Sequence, residues 1–274
     1  MQLRQPRIRS LNMTLSIAVT SGKGGVGKTN TAVNIAITLG QSSKNILLFD
    51  ADFGLANSHV LLGTKPSKSV ADFLDKRCSM DQSVTKFSDE VSIISGGSGL
   101  TELLNLDNQR RHQILSGISN LSQDIDYLIV DCPAGAADST LFFASACDIV
   151  AVVLIEEPTS FLDAYALIKA ANLDTGVKNF AVIINMAENK IIAKRSFEKF
   201  REIAMRFLDV NLHYAGMIPQ SIEIKHAVAQ RMPVTISKPK SMAATAFREV
   251  SNTLVMTPTP KKDTLKFFGN VGGK

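Results

Sequence analysis

The sequence predicts an α/β protein: a doubly wound, mainly parallel sheet with helices on both faces. Two features lead to that fold. Runs rich in Val and Ile stay apolar instead of alternating with polar residues, and longer helical patterns lie between them. A strand covered on both faces has no solvent side, so it need not alternate. Strand followed by helix, repeated along a chain, builds parallel neighbours through crossover connections.

Taken in order, the strands are "LSIAVTS" (15–21), "NILLFDAD" (45–52), "VSIISG" (91–96), "YLIVDCP" (127–133), "DIVAVVLIEE" (148–157), "NFAVIINMA" (179–187) and "LHYAGMIP" (212–219). Helical patterns are expected over 28–40, 69–76, 100–120, 138–146, 160–173, 190–207, 221–229 and 241–255. There is no internal repeat and no linker in mid-chain. At "TPTPKKD" (257–263) prolines and lysines end the last helix. The expected organisation is a basic N-terminal extension at 1–13, one domain over 14–256 and a basic, apolar tail over 257–274.

The chain has 274 residues, 45% hydrophobic and 20% charged, enough for a substantial core. Arg4, Arg7 and Arg9 give residues 1–14 a charge of +3, and four lysines against Asp263 give 257–274 another +3. Of the total of +5, the body keeps 23 basic and 24 acidic residues, net −1. A near-neutral body argues against a broad nucleic-acid-binding face. Cys78, Cys132 and Cys147 form no C-x-x-C pair and fit a reducing cytosol. Neither a signal peptide nor an apolar run of ~18 residues is present.

Gly22-x-x-x-x-Gly27-Lys28-Thr29 matches G-x-x-x-x-G-K-[ST], with a strand before it and a helix after it. Glycines at Gly22, Gly24, Gly25 and Gly27 let the backbone of Gly22 to Asn30, Val26 included, curl its N–H groups toward phosphate oxygens. The helix that follows adds its positive end. Lys28 is expected to reach the β- and γ-phosphates of ATP and the Thr29 hydroxyl to ligate Mg²⁺. Asp50 and Asp52, two apart at a strand end, lie on one side of an extended chain. Asp52 is placed to face an attacking water, with Asp50 nearer the metal; helix capping or turn formation is the other reading of such a pair. Asp131 ends a neighbouring apolar strand, where a carboxylate holds Mg²⁺, usually through water.

The second lysine, Lys23, gives "KGGVGKT", which resembles the deviant P-loop of the MinD/ParA-like ATPases (P-loop NTPases of the SIMIBI type). A plain solvated loop lysine is the alternative. The resemblance covers roughly residues 14–256 and implies that Lys23 crosses a nucleotide-sandwich homodimer to the partner's phosphates, as an arginine finger does. It further implies slow ATP hydrolysis with Asp52 positioning the water, and a γ-phosphate sensor at Pro133, Ala134 and Gly135. It also implies base contacts from Asn185 and the Pro219 stretch. Gln220 and Ser221 stand where the family usually carries an acid, and Glu223 comes later.

Three segments, "GKGGVGKTN" (22–30), "DADFGLANSHVLLG" (50–63) and "IISGGSGLTELLNL" (93–106), are similar to the flagellar-number regulators of the FlhG/FleN type, with Phe53 in place of the commoner Leu. That branch implies control of flagellar number or placement through a signal-recognition-type GTPase, a transcription activator or basal-body components. Leu3-Arg4 is a faint echo of the branch's activator motif. In the tail, Leu265, Phe267, Phe268 and Val271 with Lys262 and Lys266 fit a weak contact with the inner membrane face, or a tail that is disordered or packed on the body. A MinD-like division-site regulator, a ParA-like partition ATPase and an iron–sulfur carrier are the rival functions.

Overall fold

The computed structural model describes residues 14–54, 56–97, 106–259 and 266–268. One eight-stranded sheet carries the architecture, in the order β3-β4-β2-β5-β1-β6-β7-β8. The strands are β1 (Leu15–Ser21), β2 (Ile46–Asp50), β3 (Val84–Lys86), β4 (Val91–Ile94), β5 (Tyr127–Ala134), β6 (Ile149–Leu154), β7 (Asn179–Ala187) and β8 (Asn211–Pro219). Every pairing is parallel except β3 with β4. The expected doubly wound α/β fold is therefore present, with one short antiparallel edge.

The helices are α1 (Lys28–Gly40), α2 (Ser58–Leu61), α3 (Val70–Leu74), α4 (Met80–Ser83), α5 (Asn108–Ser119), α6 (Asp138–Ser145), α7 (Pro158–Thr175), α8 (Lys190–Phe207), α9 (Ile222–Ala229), α10 (Val234–Ser237) and α11 (Met242–Met256). They bury two cores, one on each face of the sheet. Along β1, Ala18 joins the core that holds Phe143, Ile168 and Phe200, while Ile17 and Val19 join the one that holds Ile35 and Phe247. On β5, Val130 and Ile129 divide the same way. Apolar side chains are needed on both faces, which is why these strands do not alternate. The edge strand β8 does mix exposed and buried positions.

Some boundaries differ from expectation. The helix expected over 100–120 is described only from Asn108 to Ser119, because Asp107 caps it, accepting the Arg110 N–H at 2.7 Å. Residues 100–105 of that stretch lie outside the described residues. The strand expected over 148–157 stops at Leu154, where the Ile155 N–H turns to Ser160 Oγ at 3.1 Å, and Pro158 opens α7 two residues early. The expected membrane-contact segment is described only at 266–268. There Lys266 pairs with Asp148 at 2.7 Å, and the Phe267 N–H reaches the Ala146 carbonyl at 3.0 Å. The Phe267 ring is buried against Phe143. Leu3, Arg4, Lys262, Leu265 and Val271 lie outside the described residues. No described helix is long and apolar enough to cross a membrane.

Candidate functional site: a phosphate cradle at the centre of the sheet

β1 hands the chain directly to the glycine turn. A Cβ on Gly22 would lie 2.1 Å from the carbonyl carbon and oxygen of Asp163, so α7 packs on the turn itself. Gly27 closes the turn in the left-handed region, at φ 83° and ψ 21°, where a side chain is strained. Between them, Gly24 and Gly25 face open space, with nothing within 4 Å of an added Cβ. Gly27 is the N-cap of α1; it supplies no side-chain cap, and no acid lies in the first turn. The amides of that turn and the positive end of a 13-residue helix are thus open to an anion.

Lys28 points into the base of this cradle. Its Nζ lies 2.6 Å from Asp131 Oδ1 and 3.4 Å from Thr29 Oγ1. Asp50 and Asp131 sit side by side on β2 and β5, and both are 0% exposed. Burial is the main force pushing the Asp50 carboxyl up to about 7; the Asp131 charge adds to it, and backbone N–H groups of Ser58 and Asp52 and the Lys28 charge oppose it. Burial works against the Lys28 ammonium, yet the carboxylates of Asp131 and Asp50 outweigh it and raise its pKa.

The other expected residues take distinct places. The Gly135 N–H donates to the Ser21 carbonyl at 2.8 Å, tying the end of β5 to the start of the turn. Asn185 donates from Nδ2 to the Val26 carbonyl at 2.6 Å and so braces the turn from β7. Pro219 ends β8 opposite Ala187, and Ser221 caps α9, accepting the Glu223 N–H at 3.1 Å. Asn30 accepts from Asn34, which in turn accepts from Thr235, locking α1 to α10. The Asp52 N–H donates to Asp50 Oδ1 at 3.1 Å. Lys23 stands apart from Lys28: it is partly exposed and held on the outside of the turn by Glu157 at 3.1 Å and Thr159 Oγ1 at 3.3 Å, at the start of α7.

Three site residues carry no local sequence signal. Glu157 and Thr159 hold Lys23, and Ser58 bridges the two buried carboxylates. Phe53 is explained by its ring: it packs 6.0 Å from Phe143 and 6.2 Å from Phe49, filling the core beneath the Asp52 loop.

An open glycine turn, an uncapped helix end, one buried ammonium and hard oxygen ligands only (Thr29, Asp50, Asp131) fit a nucleotide phosphate with a magnesium ion. No group of three or more His, Cys, Asp or Glu among the described residues forms a metal cage.

The sequence profile of the ParA family, described as "NUBPL iron-transfer P-loop NTPase", matches residues 12–255. The chain belongs to the ParA family of P-loop NTPases. Among the relatives of this ParA-family chain, the antiactivator FleN of Pseudomonas aeruginosa is 38% identical over 94% of this chain and 93% of its own length. The flagellum site-determining protein YlxH of Helicobacter pylori is 29% identical over 93% of this chain and 88% of its own. The resemblance to the flagellar branch read from residues 22–30 and 50–63 is thereby borne out. The MinC:MinD complex of Aquifex aeolicus superposes with a TM-score of 0.75 at 25% identity, over 91% of this chain and 98% of that one. MinD of Pyrococcus horikoshii, solved with Mg-ADP, shares the fold with a TM-score of 0.72 over 87% of this chain and 95% of that one, at 21% identity. As for the iron in the family description, Cys132 and Cys147 are buried, and burial pushes the Cys132 thiol pKa up.

Proposed function

We propose that this ParA-family chain is an ATP-driven switch that regulates flagellar number or placement. ATP binds with Lys28 on its β- and γ-phosphates, and Thr29 and Asp131, with Asp50 behind them, hold Mg²⁺. Two protomers then close over the nucleotides, each Lys23 reaching the partner's phosphates. Asp52 orients the attacking water, Gly135 senses the γ-phosphate, and Asn185 and Pro219 border the adenine. Turnover returns monomers, so the product of the reaction is a timed association state.

The single observation that carries this reading is the separation of the two lysines. Lys28 is buried beneath the cradle, whereas Lys23 stands at its rim next to the open Gly24 and Gly25. A cation that reached only its own phosphates would belong inside the cradle. Exposed apolar side chains at the end of β7 (Met186) and near the starts of α7, α8 and α9 (Leu162, Ile191 and Ile222) give two facing protomers something to bury. The flagellar output rests on the relatives FleN and YlxH. A signal-recognition-type GTPase, a transcription activator or basal-body components are the proposed partners, met in the cytoplasm or peripherally at the cell membrane or pole.

The test uses Asp52→Ala. It should bind ATP, sediment as a dimer with ATP and Mg²⁺ but not with ADP, show no turnover, and capture a flagellar protein from its own cell extract. A monomer under all conditions, with the side chain of Lys23 dispensable, would overturn the switch. The superposition on the MinC:MinD complex favours a second reading, a MinD-like division-site regulator. ATP-dependent pelleting with anionic vesicles, lost when residues 257–274 are removed, would favour it.

A further inference from the structure

Several of the described serines satisfy local geometry. Ser79, Ser221 and Ser241 cap the helices that follow them, and Ser119 bonds back to the Leu115 carbonyl one turn earlier. Ser58 is different. It is fully buried at the first position of α2, where Asn57 is the cap, and both of its donors leave the helix. Its N–H donates to Asp50 Oδ2 at 2.9 Å, and its Oγ donates to Asp131 Oδ2 at 3.2 Å across 73 residues of sequence.

The two carboxylates are thus gripped from both sides. Asp50 Oδ1 accepts the Asp52 N–H, and Asp131 Oδ1 accepts Lys28. One continuous chain of hydrogen bonds runs from the half-buried Asp52 through the buried Asp50, Ser58 and Asp131 to Lys28. In a low-dielectric interior such links are directional, and losing one donor leaves its partner exposed to the full cost of desolvation. Among the described residues, Lys28 and Ser58 are the only side-chain donors to Asp131. A Lys28 engaged with phosphate no longer neutralises Asp131, and Ser58 Oγ is then what fixes the carboxylate plane.

We infer that Ser58 is a positioning residue for Mg²⁺-nucleotide binding: its hydroxyl pins Asp131 Oδ2 and leaves Oδ1 for the cation side, while its amide holds the neighbouring Asp50, whose other oxygen accepts the Asp52 N–H. The inference rests on the nucleotide reading above and extends it to a residue outside the cradle. A carboxylate that serves a metal needs an outer hydrogen-bond partner to hold its orientation, and removing such a partner typically costs about 10–100-fold in metal affinity or activity.

The test is the affinity of purified full-length protein for methylanthraniloyl-ATP by fluorescence, with MgCl₂ and with EDTA. Wild type should bind more tightly with Mg²⁺. Ser58→Ala should lose about 10-fold or more of that Mg²⁺-dependent gain while its affinity in EDTA stays within about 2-fold. Ser58→Cys, close in size with a weak donor, should fall between them. The ratio of the two affinities within one protein does not depend on how much of a variant is folded. Equal losses with and without Mg²⁺, or an unchanged ratio in both variants, would overturn the assignment. A wild type indifferent to Mg²⁺ would overturn the nucleotide reading itself.

Discussion

Lys28 Nζ lies 2.6 Å from Asp131 Oδ1 in a site that leaves their side chains 8% and 1% exposed. The pair pre-stores, inside the protein, the positive charge that the cradle offers to phosphate. Lys28→Ala removes it and strands two adjacent carboxylates. Breaking a closed buried pair costs about 3–5 kcal/mol. Because Asp50 can take up a proton here, we expect the lower end of that range from urea denaturation, together with loss of detectable ATP binding by calorimetry. Unchanged ATP affinity would show that the ammonium does not face phosphate.

The same pair of carboxylates makes stability depend on pH. The Asp50 carboxyl is pushed up to about 7 from its ordinary 3.8, first by burial and then by the Asp131 charge. Between those values the folded chain keeps a proton that the unfolded chain has released. The contribution of Asp50 is therefore full below about pH 4, declines as pH rises toward about 7 and is flat above. Without nucleotide, wild type should lose up to ~1.4 kcal/mol per pH unit from this group across that window. Asp50→Asn should lack this slope in urea titrations at matched pH values; parallel slopes would refute the assignment.

Lys23 is held by Glu157 in the single chain but has to leave it to serve a partner. Exposed ion pairs are worth about 0–1 kcal/mol, about 5-fold at most for each; a dimer releases two of them, so its equilibrium shifts by no more than about 30-fold. Glu157→Gln should thus lower the protein concentration at which ATP and Mg²⁺ give dimers by up to that factor. Lys23→Ala should bind ATP as a monomer and fail to dimerise. Sedimentation velocity distinguishes the two; identical behaviour of both variants would mean that the pair is ornamental.

Two glycines of the turn should answer substitution in opposite ways. Alanine at Gly22 would drive its Cβ to 2.1 Å from the backbone of α7, which has no flexible end to yield. That overpacking should cost about 1–3 kcal/mol or more and lower the melting temperature. Alanine at Gly24 meets nothing within 4 Å, and its melting temperature should be unchanged. Thermal denaturation monitored by circular dichroism checks both, and a large loss at Gly24→Ala would contradict the open geometry.

Much of this was legible because it is local. The buried strands announce themselves by apolar runs, and Gly22 to Thr29 by spacing between a strand and a helix. Asp50 and Asp131 could be placed because each ends such a run. What escaped was either too short or too distant. The helices α2, α4 and α10 have four residues each, scarcely more than one turn, and β3 has three, so no period develops. Ser58 and Glu157 act on partners 73 and 134 residues away, and nothing in their neighbourhood marks them. Asn185 was found, but its grip on the Val26 carbonyl follows from the close approach of β7 to the turn, which only folding brings about.

β1 lies between β5 and β6, deep within eight strands. Its amides should be among the last to exchange with heavy water, since opening them means dismantling both cores. The glycine turn grows from this central strand, while the Asp52 loop follows β2, two strands farther out. Warming should accordingly silence the outer parts first and leave anion binding until the chain melts as a whole.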